Sequence, residues 1–123
     1  MAEIIKLHNF VNGEFQFGLG SDSLQYFESF NPATKKVNAL IPYSGKVEVE
    51  KAVDSALRAF ESWSQTSSAY RSQILLKIAN LIQERLEEFA LAESIDQGKP
   101  LSLARSVDIP RAIYNFKFFA TAM

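Results

Sequence analysis

From Ser44 onward the apolar residues recur at spacings of three and four, and before that point they do not. This change of period constrains the fold more than any other feature. Apolar spacings of three and four put one face of a helix against a core, whereas short runs between turn residues make strands. Residues 1–43 are therefore expected to form two short β-hairpins, and 44–123 four to five helices.

The hairpins are set by their turns. Leu7 to Val11 and Glu14 to Gly18 flank Asn12-Gly13, the pair that best tolerates the two positive φ angles of a type I′ turn. Tyr26 to Phe30 and Val37 to Ile41 flank Asn31-Pro32-Ala33-Thr34, where proline presets φ. Gly18 to Ser23 reads as a loose connector. Two isolated hairpins are marginal in water, so they need a surface to pack on.

Ser44 or Gly45 can cap a first helix, with Val49, Ala52, Val53, Ala56, Leu57, Phe60 and Trp63 on one stripe. Ser67 or Ser68 starts a second, whose expected stripe is Tyr70, Ile74, Leu75, Ile78, Leu81 and Ile82. A third begins near Leu86 and carries Phe89, Ala90, Ala92 and Ile95. Gly98 suits the left-handed residue that stops it, and Pro100 suits the opening turn of the next helix. Pro110 lacks an N–H and clashes with the turn before it, which predicts a break between a short piece ending near Val107 and a longer one from about Pro110. In that last piece Phe116, Phe118 and Phe119 point to different sides, from about 100° per residue. A helix apolar on most sides expects to be covered on most sides.

Composition narrows the chemistry. The chain is 47 % apolar with ten phenylalanines, ample for a core. A length of 123 residues allows one domain at most. Basic and acidic residues number 13 and 14, well mixed, so no face is basic enough to follow a nucleic acid backbone. No cysteine is present, which removes disulfides, thiolate metal sites and cysteine nucleophiles together. His8 is the sole histidine and is expected on a surface strand. The start of the chain lacks a signal-peptide core and no run is long enough to span a membrane, so the expected location is cytoplasmic.

Several motifs fail their chemical tests. Gly18-Leu19-Gly20 lacks the third glycine and the following helix of a dinucleotide loop, and Gly98-Lys99 is followed by Pro100 where a P-loop needs Ser or Thr. Glu84, Glu87, Glu88 and Glu93 make an acidic run of the kind that usually faces solvent. Asp108 leaves two readings open. It can cap the helix that begins near Pro110, or hold a hard cation together with carbonyls freed by the break.

Five blocks carry a resemblance: Phe10-Val11-Asn12-Gly13-Glu14-Phe15, Phe30-Asn31-Pro32-Ala33-Thr34, Ala52 to Trp63 followed by Arg71 and Leu76 to Ile82, Glu93 to Pro100, and Asp108 to Ala120. In this order and spacing they resemble the N-terminal quarter of the aldehyde dehydrogenases, most like the muconic-semialdehyde branch. The implied fold is an α-rich α+β fragment, the front of that family's α/β cofactor domain. The implied activity of the parent is oxidation of an aldehyde to a carboxylate with NAD or NADP. There a cysteine thiolate attacks the carbonyl, hydride passes to the nicotinamide, and a glutamate activates water. None of these groups maps onto the present residues, so the expected catalytic and cofactor-binding residues are none and the chain alone is expected to bind no cofactor. The resemblance places a monovalent cation at backbone oxygens of Ser29 and Phe30 and at Asp108, in a site that would be incomplete here. It implies that the sequence stops before the nucleotide-binding units, the catalytic domain and the oligomerisation strands. Two functions follow as expectations: an inactive portion of an oxidoreductase, or a free-standing protein-interaction module of that family. The expected partner is accordingly the rest of an aldehyde dehydrogenase, or a second copy through the aromatic helix 110–123.

Overall fold

A computed structural model describes residues 4–17 and 25–122. The expected connector Gly18 to Ser23 and the last residue, Met123, lie outside the described residues. The fold consists of two compact units, residues 1–30 with 35–65 and residues 31–34 with 66–123.

In the first unit, β2 (Asn9–Val11) and β3 (Glu14–Gln16) pair antiparallel, with Phe10 opposite Phe15. Asn12 and Gly13 have φ of 57° and 79°, so the turn takes the expected positive angles. β4 (Tyr26–Asn31) neighbours β5 (Lys36–Pro42). Four intervening residues are too few for a parallel crossover, so the pair is a hairpin. The Asn31 side-chain oxygen accepts from the Ala33 and Thr34 amides at 2.9 and 3.3 Å, which closes the turn, and Lys35 completes it at φ 58°. One strand was not anticipated. β1 (Ile5–Lys6) runs parallel to β5, with Ile5 opposite Ala39 and Lys6 opposite Leu40. At two residues it is too short to show a period.

Helix α1 (Lys46–Trp63) belongs to this unit. Gly45 caps it, and the Glu48 carboxylate accepts from the Gly45 amide at 2.8 Å. That bond holds the Glu48 carboxyl below its ordinary pKa. Of the expected apolar stripe only Ala52 is half-buried. Glu48, Ala52 and Ser55 are half-buried, whereas Val49, Val53, Leu57 and Phe60 are exposed. Ser55 donates to the Asn12 side-chain oxygen at 3.3 Å, so a polar line of the helix meets the hairpin.

The second unit holds the core. It comprises α2 (Ser68–Glu84), α3 (Leu86–Gln97), α4 (Leu101–Leu103), a π-helical turn (Ala104–Asp108) and α5 (Ile109–Thr121). Ser67 caps α2 by accepting from the Tyr70 amide at 3.1 Å. Ala79, Ala90, Ala104, Ile109 and Ile113 form the buried cluster, with Ile82, Leu86, Leu101 and Phe116 packed on it. Small residues dominate because α2, α3 and α5 approach closely there. Of the expected α2 stripe, Ile74, Leu75, Ile78 and Ile82 are half-buried while Tyr70 and Leu81 are about half exposed, and the fully buried residue of the helix is Ala79, which the stripe did not include. In α3 the buried residue is Ala90, while Phe89 and Ile95 are 38 % and 41 % exposed.

Pro110 does not break the helix. The Ile109 amide donates to the Ala104 carbonyl, five residues back, so the helix widens by one residue and continues. The wider turn leaves room for the proline ring against the preceding carbonyls, the clash on which the expected break rested. Beyond it, Ile113 and Ala120 are buried and Phe116 half-buried, whereas Tyr114, Phe118 and Phe119 are 64 %, 51 % and 62 % exposed. The outward rings contact one another, Tyr114 stacked on Phe118 at 6.2 Å and Phe118 edge-to-face with Phe119 at 5.3 Å.

Candidate functional site

The block from Glu93 to Pro100, with the turn and helix around it, gathers more charged and backbone chemistry than any other described stretch. Gly98 stops α3 in the left-handed conformation, φ 68° and ψ 14°, with its amide bonded to the Ser94 carbonyl at 3.0 Å. It also lies against the Asn31–Thr34 turn. A Cβ added at Gly98 would come within 2.8 Å of the Ala33 nitrogen and about 3.1 Å of the Pro32 side chain. Two of the blocks that carry the sequence resemblance therefore touch each other. Pro100 stands one place before the position expected for it, as the cap of α4, with its carbonyl accepting from the Leu103 and Ala104 amides.

Lys99 follows this stop. The Ser94 hydroxyl donates to the Lys99 carbonyl at 2.7 Å, which fixes the backbone and sets the side chain's direction. Its ammonium donates to Glu93 Oε1 at 2.8 Å and to Asp108 Oδ2 at 2.9 Å. All three side chains are about one-quarter to one-third exposed. Hydrogen bonds to Glu93 and then Asp108 hold the Lys99 amine above its ordinary pKa. A lysine kept as an ammonium is neither a general base nor a nucleophile towards an aldehyde. Sequence reasoning missed this triad because Lys99 was weighed only as the end of a P-loop. The signal was available, since a left-handed stop turns the chain back towards the helix it has just left.

Two more carboxylates of the acidic run are paired in the same manner. Arg105 forks onto Glu87 through Nε and Nη2 at 2.8 Å, and Arg85 binds Glu88 at 2.7 Å. Glu87, Glu88 and Glu93 of the acidic run are thus in ion pairs, and among the described residues no three His, Cys, Asp or Glu side chains cluster as a metal site.

Asp108 lies inside the π turn with helical angles, φ −68° and ψ −51°, and makes no side-chain cap hydrogen bond. The capping reading is therefore overturned, because the helix does not begin there. Its carboxylate is already engaged by Lys99. Ser29 and Phe30 belong to the strand β4 of the other unit. For a monovalent cation the fit at Asp108 is poor, since the cation would share a carboxylate with an ammonium and the two positive charges repel. His8 is not on a strand. It sits half-buried between β1 and β2, 4.6 Å from the Phe17 ring and with Nδ1 3.2 Å from the Tyr26 hydroxyl.

Gly98-Lys99 is consumed by the helix stop and the ion triad. The N-terminus of α1 carries the Glu48 carboxylate on its cap amide, which repels an anion. A shallow apolar depression of about 240 Å³ between α2 and α3 is lined by Ile78, Leu81, Ile82, Arg85 and Phe89 and has no acid–base pair. No described helix is long and apolar enough to cross a membrane.

Comparison with known proteins agrees with the arrangement. Residues 19–123 match the model of the aldehyde dehydrogenase family. The 2-aminomuconic semialdehyde dehydrogenase of Homo sapiens is 48 % identical over 119 residues, covering 97 % of this chain and 23 % of its own length. The 2-hydroxymuconic semialdehyde dehydrogenase of a Pseudomonas species is 42 % identical over 116 residues, covering 94 % and 23 %. Among solved structures, the NAD+ complex of the aldehyde dehydrogenase from Bacillus cereus superposes with a TM-score of 0.84 at 37 % identity, over 97 % of this chain and 24 % of that one. The chain belongs to the aldehyde dehydrogenase family and corresponds to its N-terminal segment. It spans about a quarter of the length of the relatives it matches.

Proposed function

We propose that these 123 residues are the front of an NAD(P)-dependent aldehyde dehydrogenase and carry no catalytic step themselves. The observation that supports this most is the match of nearly the whole chain to the N-terminal quarter of such enzymes, in a segment with no cysteine. The thiolate that attacks the aldehyde must then come from another part of the protein. By their names, the relatives above act on 2-aminomuconic and 2-hydroxymuconic semialdehydes, and a semialdehyde of that kind is the substrate class this reading assigns to the parent. The segment's own contribution is structural. Its second unit supplies a rigid helical face on which Tyr114, Phe118 and Phe119 form an apolar patch for the rest of the enzyme.

The coding frame tests this reading against the alternative of a free-standing interaction module. Aldehyde dehydrogenase sequence containing a cysteine is expected to follow Met123 in frame. Unrelated sequence, or a stop in the native transcript, would favour the module.

A further inference from the structure

We propose that Lys99 is the resident cation of the Asp108 position. Its ammonium takes the electrostatic role that the family resemblance gives there to a free monovalent cation, and it clamps the π turn to the end of α3 without an added metal ion.

Three observations carry this inference. The ammonium lies at hydrogen-bond distance from both carboxylates, 2.8 Å from Glu93 and 2.9 Å from Asp108, so one positive charge serves two acids on separate elements. Its backbone is held in advance by the left-handed stop at Gly98 and by the Ser94 bond to the Lys99 carbonyl. A tethered and pre-oriented charge loses little freedom on pairing and acts at a high effective concentration, advantages that a dissolved ion lacks. Finally, Asp108 lies in the widened turn that lets the helix pass Pro110, so fixing its carboxylate also fixes that turn.

Linkage provides the test. An ion that binds only the native form raises the unfolding midpoint in its own salt. Thermal unfolding of the purified chain in choline, sodium and potassium chloride at equal ionic strength is expected to give midpoints agreeing within about 1 °C. Lys99→Met is expected to lower the midpoint in choline chloride by several degrees and to regain part of that loss selectively in sodium or potassium chloride, because two carboxylates then lack a counter-ion. A wild-type midpoint higher in sodium or potassium than in choline by more than about 2 °C would overturn the proposal. So would a Lys99→Met midpoint equal to the wild type in choline. If the variant does not fold, the wild-type comparison decides alone.

Discussion

Gly98→Ala is expected to destabilise the second unit by about 2–5 kcal/mol, the sum of two separable effects. An L-residue at φ 68° costs roughly 1–2 kcal/mol, and forcing a methyl into packed surroundings typically costs about 1–3 kcal/mol more. The second contribution arises because the new Cβ would stand 2.8 Å from the Ala33 nitrogen, a backbone atom that can move only if the Asn31–Thr34 turn moves with it. Gly13→Ala separates the two effects. Gly13 also has a positive φ, 79°, but nothing lies within 4 Å of its added Cβ, so only the conformational cost of about 1–2 kcal/mol applies. Chemical denaturation of the two variants should therefore show Gly98→Ala as the more damaging by at least about 1 kcal/mol. Equal losses would mean that the two signature blocks do not depend on each other.

Ile113→Ala is expected to be comparably severe. Ile113 is 4 % exposed and belongs to a core made mostly of alanines, so few neighbours can close over the cavity. Truncations of this kind remove about 2–5 kcal/mol, a large part of the 5–15 kcal/mol typical of a whole domain. Phe118→Ala is the contrast on the same helix. It deletes a larger side chain, yet Phe118 is 51 % exposed and its ring meets the exposed rings of Tyr114 and Phe119, so the loss should stay at about 1 kcal/mol. A reversal of that order, measured by denaturant unfolding at low protein concentration, would show that the outward aromatic face is already covered.

What was legible in the sequence was local. Asn12-Gly13, the Asn31-Pro32 turn, the Ser67 cap and the Gly98 stop each follow from the conformational preference of one or two residues, and each stands where expected. Burial was harder, because an amphipathic helix does not record which neighbour it meets. In α1 the line facing the hairpin is Glu48, Ala52 and Ser55, and the apolar stripe is left outside. Pro110 misled for a different reason. The clash that breaks an α-helix is relieved by a turn one residue wider, and no side-chain pattern announces that choice. At the candidate site, Asp108 reads in the sequence as a helix cap or a cation ligand, and it makes no cap hydrogen bond. Its carboxylate pairs instead with Lys99, brought back by the reversal at Gly98.

The central proposal is that these residues carry the family's architecture without its chemistry. Aldehyde-dependent formation of NADH by the purified chain, followed by absorbance with a semialdehyde and NAD or NADP, tests it most directly. No formation above a protein-free control is predicted, and no heat of cofactor binding by calorimetry. NADH that accumulates in proportion to the concentration of the purified chain would contradict it.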